Sequence, residues 1–77
     1  MIIVYNNRAM EIRFAHNLAV LRESWGLRQV DLALKLGTTQ RRISYWESGK
    51  VEPDLESLWR IADFFQISVD ELIGRSD

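Results

Sequence analysis

Gly26, Gly37, Gly49 and Gly74 each stand at or just past the end of an apolar pattern with helical spacing. From Ala15 onward the chain is therefore restricted to short helices joined by tight turns. Leu18, Leu21 and Trp25 recur at three- and four-residue steps, the period of a helix buried along one side, and Gly26 stops it. A second helix is predicted from about Arg28 to Leu36, with Leu32, Ala33 and Leu36 inward, ended by Gly37. Thr38 or Thr39 caps a third over Gln40–Glu47, where Ile43 and Trp46 mark the buried side and Ser48-Gly49-Lys50 breaks the helix. Asp54, after Pro53, caps a fourth with Leu55, Leu58, Ile61, Ala62 and Phe65 as its stripe. Ser68 and Glu71 have the spacing of a capping box and open a short fifth helix that Gly74 ends. Trp25 and Trp46 are read as core. The fold class is all-α with five helices.

The N-terminus reads two ways. Met10, Ile12 and Phe14 alternate like a strand and Ile2–Tyr5 is β-prone, so a short strand or a hairpin turned at Asn6-Asn7 fits. Met10, Phe14 and Leu18 equally fit a helix extended backward, and Met10 is an alternative start. Residues 2–5 are expected to be extended. Residues 1–13 are read as an N-terminal extension, 14–74 as the folded unit and 75–77 as a tail.

At 77 residues this is one small domain. It has no cysteine, so neither disulfides nor thiolate ligands supplement the core, which must come from packing, helped by a second subunit. No apolar run approaches the ~18 residues a membrane helix needs, and no signal peptide is evident. A cytoplasmic protein, prokaryotic or phage-encoded, is expected. The net charge of −1 argues at first against a nucleic-acid partner, but its distribution does not. In residues 28–50, Arg28, Lys35, Arg41, Arg42 and Lys50 outnumber Asp31 and Glu47, giving +3, whereas residues 51–77 carry −5. A basic middle on an acidic body presents one face to a polyanion.

The second and third predicted helices are separated by a three-residue turn containing glycine. Such a pair holds its second helix proud of the surface, where it fits a major groove about 12 Å wide. With Ile43 and Trp46 inward, Gln40, Arg41, Ser44 and Tyr45 share the outward face. Gln pairs bidentately with adenine and Arg with guanine, and Tyr offers a hydroxyl and a ring edge. Double-stranded DNA is the partner these residues fit.

From about Phe14 to Gly74 the chain resembles the lambda repressor/Cro-like helix-turn-helix (XRE) family of transcriptional regulators. The resemblance is carried by Asn17-Leu18 with Leu21-Arg22, Gly26-Leu27 with Gln29, Leu32-Ala33 before Leu36-Gly37, and Ile43-Ser44, Trp46-Glu47 and Gly49-Lys50. It continues through Pro53-Asp54-Leu55-Glu56, Ile61-Ala62 and Ser68-Val69-Asp70-Glu71-Leu72. It implies that Gln29 meets a phosphate and that Gln40, Arg41 and Tyr45, with Ser44 beside them, read bases. It also implies that Arg42 and the Ser48-Gly49-Lys50 loop meet the flanking backbone, with Arg28 and Thr39 added as phosphate contacts, and that Arg22 and Glu47 form an internal salt bridge. A homodimer on a palindromic operator, with half-sites about 34 Å apart, follows from the same resemblance. Trp59, Phe64, Val69 and Ile73 are the candidate dimer surface. Repression is favoured over activation on family analogy alone.

Two departures stand out. Arg28 occupies a position where Thr or Ser commonly caps the second helix, a weakening of about 1 kcal/mol. Val30 and Leu34 lie off the expected core face, where residues 1–13 are the expected cover. These two keep open a rival reading, a protein-interaction module such as an antitoxin or adaptor. No enzyme is expected: the sole histidine, His16, reads as structural or solvated, and the sequence offers no metal-ligand spacing, phosphate loop or cofactor motif. No small-molecule ligand is evident.

Overall fold

The computed structural model describes residues 12–74. Five helices follow in order: α1 (Phe14–Ser24), α2 (Gln29–Leu36), α3 (Gln40–Glu47), α4 (Leu55–Phe65) and α5 (Val69–Leu72). No strand is formed among the described residues. The extended or hairpin structure expected for residues 2–5, and the hairpin turn at Asn6-Asn7, lie outside them. Helix α1 begins at Phe14 with Arg13 as its N-cap, so Ile12 and Arg13 form neither the strand nor the backward extension of the helix, and Met10 lies outside the described residues.

The helices are set by local chemistry at their ends. Thr39, not Thr38, caps α3, its hydroxyl accepting from the Arg42 N–H at 3.2 Å. Asp54 does the same for the Ser57 N–H at 3.0 Å, and Ser68 and Glu71 close a reciprocal capping box on α5. Arg28, with no acceptor of its own, is the N-cap of α2 rather than its first residue, and the lost capping is met from the other side. The Asp31 carboxylate accepts from the Arg28 N–H at 2.8 Å and from its guanidinium at 2.9 Å.

All five helices contribute to one core: Phe14 and Leu18 of α1, Leu32 and Ala33 of α2, Ile43 and Trp46 of α3, Ile61, Ala62 and Phe65 of α4, and Leu72 of α5. Phe14 meets Trp46 edge to face. The ends of the unit are tied together. The Arg13 N–H donates to the Ile73 carbonyl at 2.9 Å, and the Asn17 amide donates to the Leu72 carbonyl at 3.1 Å.

Two expectations about burial need correction. Trp25 is half exposed, at 50%, because α1 ends at Ser24 and Trp25 turns out of the helix as its C-cap. It lies on the surface against Phe64 and Phe65, ring centroids 5.3 and 5.1 Å away. Leu55 is 84% exposed, since at the first position of α4 it falls outside the arc occupied by Ile61, Ala62 and Phe65. Val30 and Leu34 are exposed, Leu34 to 76%; of the segment expected to cover them, residues 1–11 lie outside the described region.

Candidate nucleic-acid interface

The angle between α2 and α3 is fixed by a Gly37-Thr38-Thr39 turn. Gly37 has φ 71° and ψ 35°, a left-handed conformation that side chains with a Cβ resist. The Thr38 N–H returns to the Ala33 carbonyl at 2.9 Å and the Gly37 N–H to Leu34 at 3.3 Å. These satisfy the last carbonyls of α2 and turn the chain sharply into Thr39, whose cap starts α3. The two helices pack closely on each other, and α3 also packs against α1.

With Ile43 and Trp46 fully inside, α3 turns Gln40, Arg41, Ser44 and Tyr45 outward; Gln40 and Arg41 are exposed and the other two half-buried. The four candidate base readers thus share one face. The candidates for phosphate contact are spread along its edges, and several already have partners within the protein. Arg28 pairs with Asp31, and Arg42 lies 3.8 Å from Asp54 with its guanidinium 5.1 Å from the Trp46 ring centroid. Thr39 serves as the α3 cap. Ser48 and Lys50 lie in the loop after α3, fastened to the Tyr45 carbonyl, which accepts from the Ser48 hydroxyl at 3.1 Å and the Lys50 N–H at 2.9 Å. The Arg28 hydrogen bond, given by side chain and backbone together, holds the Asp31 carboxyl down to about 2.

Beneath this face runs a polar chain that residue spacing alone does not disclose. Arg22 meets Glu47 through two hydrogen bonds, Nε to Oε2 at 2.6 Å and Nη2 to Oε1 at 3.0 Å, and its Nη1 donates to the Leu27 carbonyl at 2.7 Å. The two side chains are 12% and 8% exposed. The Glu47 hydrogen bond raises the Arg22 pKa above its ordinary value, so the guanidinium stays charged. Glu47 then does more than close a salt bridge. Its Oε1 accepts from Gln29 Nε2 at 3.0 Å, and Gln29 Oε1 accepts from Gln40 Nε2 at 3.1 Å. A part-buried arginine of α1 is thereby linked to the first residue of α3. Because Gln29 Oε1 accepts from Gln40, it is Gln40's own carbonyl oxygen that is turned away from Gln29.

The four dimer candidates line different surface features. Trp59 and Val69 line a shallow groove with Asp63 and Ile67, whereas Phe64 packs on Trp25. Ile73 lies elsewhere, in a larger apolar groove with Ile12, Phe14, Val51 and Leu58. Among the described residues no group of acidic or histidine side chains is arranged to hold a metal ion, and no helix is long and apolar enough to cross a membrane.

Two short helices across a fixed turn, with a polar outward face on the second, define a helix-turn-helix. The helix-turn-helix family model matches residues 18–72. The chain belongs to this family of transcriptional regulators, of the lambda repressor/Cro (XRE) type. It is 42% identical over 63 residues to the HTH-type transcriptional activator BcrR of Enterococcus faecalis, covering 82% of this chain and 31% of that protein. Among solved structures, a transcriptional regulator from Listeria innocua superposes with a TM-score of 0.79 at 38% identity, covering 86% of this chain and 62% of that one. The P22 c2 repressor, solved in complex with a synthetic operator, gives 0.77 at 27% identity and covers 82% and 96%. The chain thus spans about a third of BcrR and under two thirds of the Listeria regulator.

Proposed function

We propose that this protein binds double-stranded DNA sequence-specifically as a homodimer on a palindromic operator, and acts as a transcriptional repressor. The observation that carries the reading is the outward face of α3, where Gln40, Arg41, Ser44 and Tyr45 stand together beside the basic loop at Lys50. Residues 14–74 are the DNA-binding unit, with 1–13 an extension and 75–77 a tail. Gln40, Arg41, Ser44 and Tyr45 read bases; Gln29, Thr39, Arg42, Ser48, Gly49 and Lys50 meet the backbone, and Arg28 and Arg42 exchange Asp31 and Asp54 for phosphates. The P22 c2 repressor's synthetic operator is the kind of ligand this face fits. A single recognition helix reads few base pairs, and pairing two copies through the Trp59–Val69 groove doubles the site. The site of action is the cytoplasm.

Exposed Val30 and Leu34 favour a second reading, in which the same fold docks a protein partner. Selection of random duplex DNA on the purified protein at physiological salt separates the two. Enrichment of a palindrome supports the first reading. A well-folded protein that enriches nothing supports the second. Affinity for duplex falling steeply with salt is the accompanying signature of phosphate contact.

A further inference from the structure

We propose that Tyr45 is a positioning residue: its ring holds Arg41 and Lys50 in one arrangement, so that a guanine read by Arg41 and a phosphate met by Lys50 are engaged together. The inference rests on the DNA-reading function proposed above. The Arg41 guanidinium carbon lies 5.8 Å, and Lys50 Nζ 5.2 Å, from the centroid of the Tyr45 ring. Both are within the range at which the electron-rich face of an aromatic ring attracts a cation. Arg41 precedes Tyr45 by one turn on the same side of α3, where side chains four apart are neighbours. Lys50 reaches the ring from the loop beyond the helix, and that loop is itself fastened to Tyr45. The Tyr45 carbonyl accepts from the Lys50 N–H at 2.9 Å, the Val51 N–H at 3.3 Å and the Ser48 hydroxyl at 3.1 Å.

One residue thus anchors the loop through its carbonyl and both cations through its ring. Without the ring, two long like-charged side chains spread over many rotamers and repel. Ordering them on DNA then costs affinity that a prearranged pair retains. The hydroxyl has no part in this role, so phenylalanine at position 45 performs it equally well.

Two experiments test the role. In the free protein, NMR of wild type and Tyr45→Phe shows the Arg41 and Lys50 methylene protons shifted upfield by the ring, and Tyr45→Leu returns them to ordinary positions. Ordinary shifts in the wild type overturn the stack itself, without reference to DNA. The second is a double-mutant cycle on the selected duplex and on one altered at the base pair that Arg41→Ala ceases to discriminate. Tyr45→Leu, or Tyr45→Met should the leucine variant not fold, lowers that discrimination by about two- to fivefold, the worth of an exposed cation–π contact. It has no further effect once Arg41 is alanine, and Tyr45→Phe restores the wild-type value. Equal losses in both backgrounds, or a phenylalanine variant as impaired as leucine, overturn the positioning role and leave Tyr45 only the base contact of its own proposed above. Binding to no duplex at all refutes the proposed function and the positioning role with it, while the NMR result stands separately.

Discussion

Replacing Glu47 with alanine tests whether the tie between α1 and α3 is held as its burial implies. Glu47 accepts two hydrogen bonds from Arg22 and one from Gln29. Without it, Arg22 keeps only the Leu27 carbonyl as partner, on a side chain 12% exposed. Breaking a buried ion pair from one side costs about 3–5 kcal/mol, because the surviving charge is left without compensation. The remaining solvent contact places this case at the lower end, about 3 kcal/mol. Total stability for a chain of this length is roughly 4–12 kcal/mol, so the variant keeps roughly 1–9 kcal/mol and is measurable as a folded protein. With a shift of about 4–8 °C per kcal/mol, the thermal midpoint falls by about 12–24 °C. Urea unfolding followed by far-UV circular dichroism at pH 7 measures the loss directly. The Arg22→Met/Glu47→Leu double variant removes both charges and recovers most of it. A loss under about 1 kcal/mol, the value of an exposed pair, refutes the reasoning. So does a double variant no more stable than Glu47→Ala, which makes the effect one of packing rather than stranded charge.

Arg41→Ala loses roughly 1–3 kcal/mol on the best duplex and relaxes its base preference, whereas Lys50→Ala weakens all sequences alike and lowers the salt slope by about one. Titration of selected and scrambled duplexes at several salt concentrations distinguishes them, and unchanged specific affinity in Arg41→Ala removes its base-reading role. Gln66 adopts φ 59° as the left-handed C-cap of α4, a conformation glycine takes without steric conflict. Gln66→Gly therefore raises stability by about 0.5–1 kcal/mol in urea unfolding, and a decrease contradicts this. Asp31, held to about 2 against an ordinary 3.8, contributes stability that is complete above the ordinary value and lost as pH falls toward 2. Thermal midpoints of wild type and Asp31→Asn accordingly converge between pH 5 and pH 2, and parallel curves show that the pair adds nothing.

The helix order and most helix ends were legible because single residues decide them. Thr39, Asp54 and Ser68 cap, Gly37 turns, and each acts within three or four residues of its partner. Burial at helix ends was less legible. Periodicity extends a stripe past the last turn, as at Trp25, or back to the first position, as at Leu55, where the chain direction has already changed. The outward face of α3 follows from its inward pair, Ile43 and Trp46. The internal partners of that face do not. The links from Glu47 to Gln29 and from Gln29 to Gln40 join residues 18 and 11 apart, and the distance between them is set by the α2–α3 turn. The Arg22–Glu47 pair was anticipated only through family resemblance, and its second role in holding Gln29 had no sequence signal beyond that.

The pairing of Arg13 with Ile73 has a consequence for how such a unit is assembled into larger proteins. Gly74 lies so close to Arg13 that a Cβ there would stand 2.8 Å from the arginine's own Cβ. The chain therefore enters and leaves the helical unit at one spot, like the two leads of a plug. Whatever is joined before Ile12 or after Gly74 starts from the same place relative to α3.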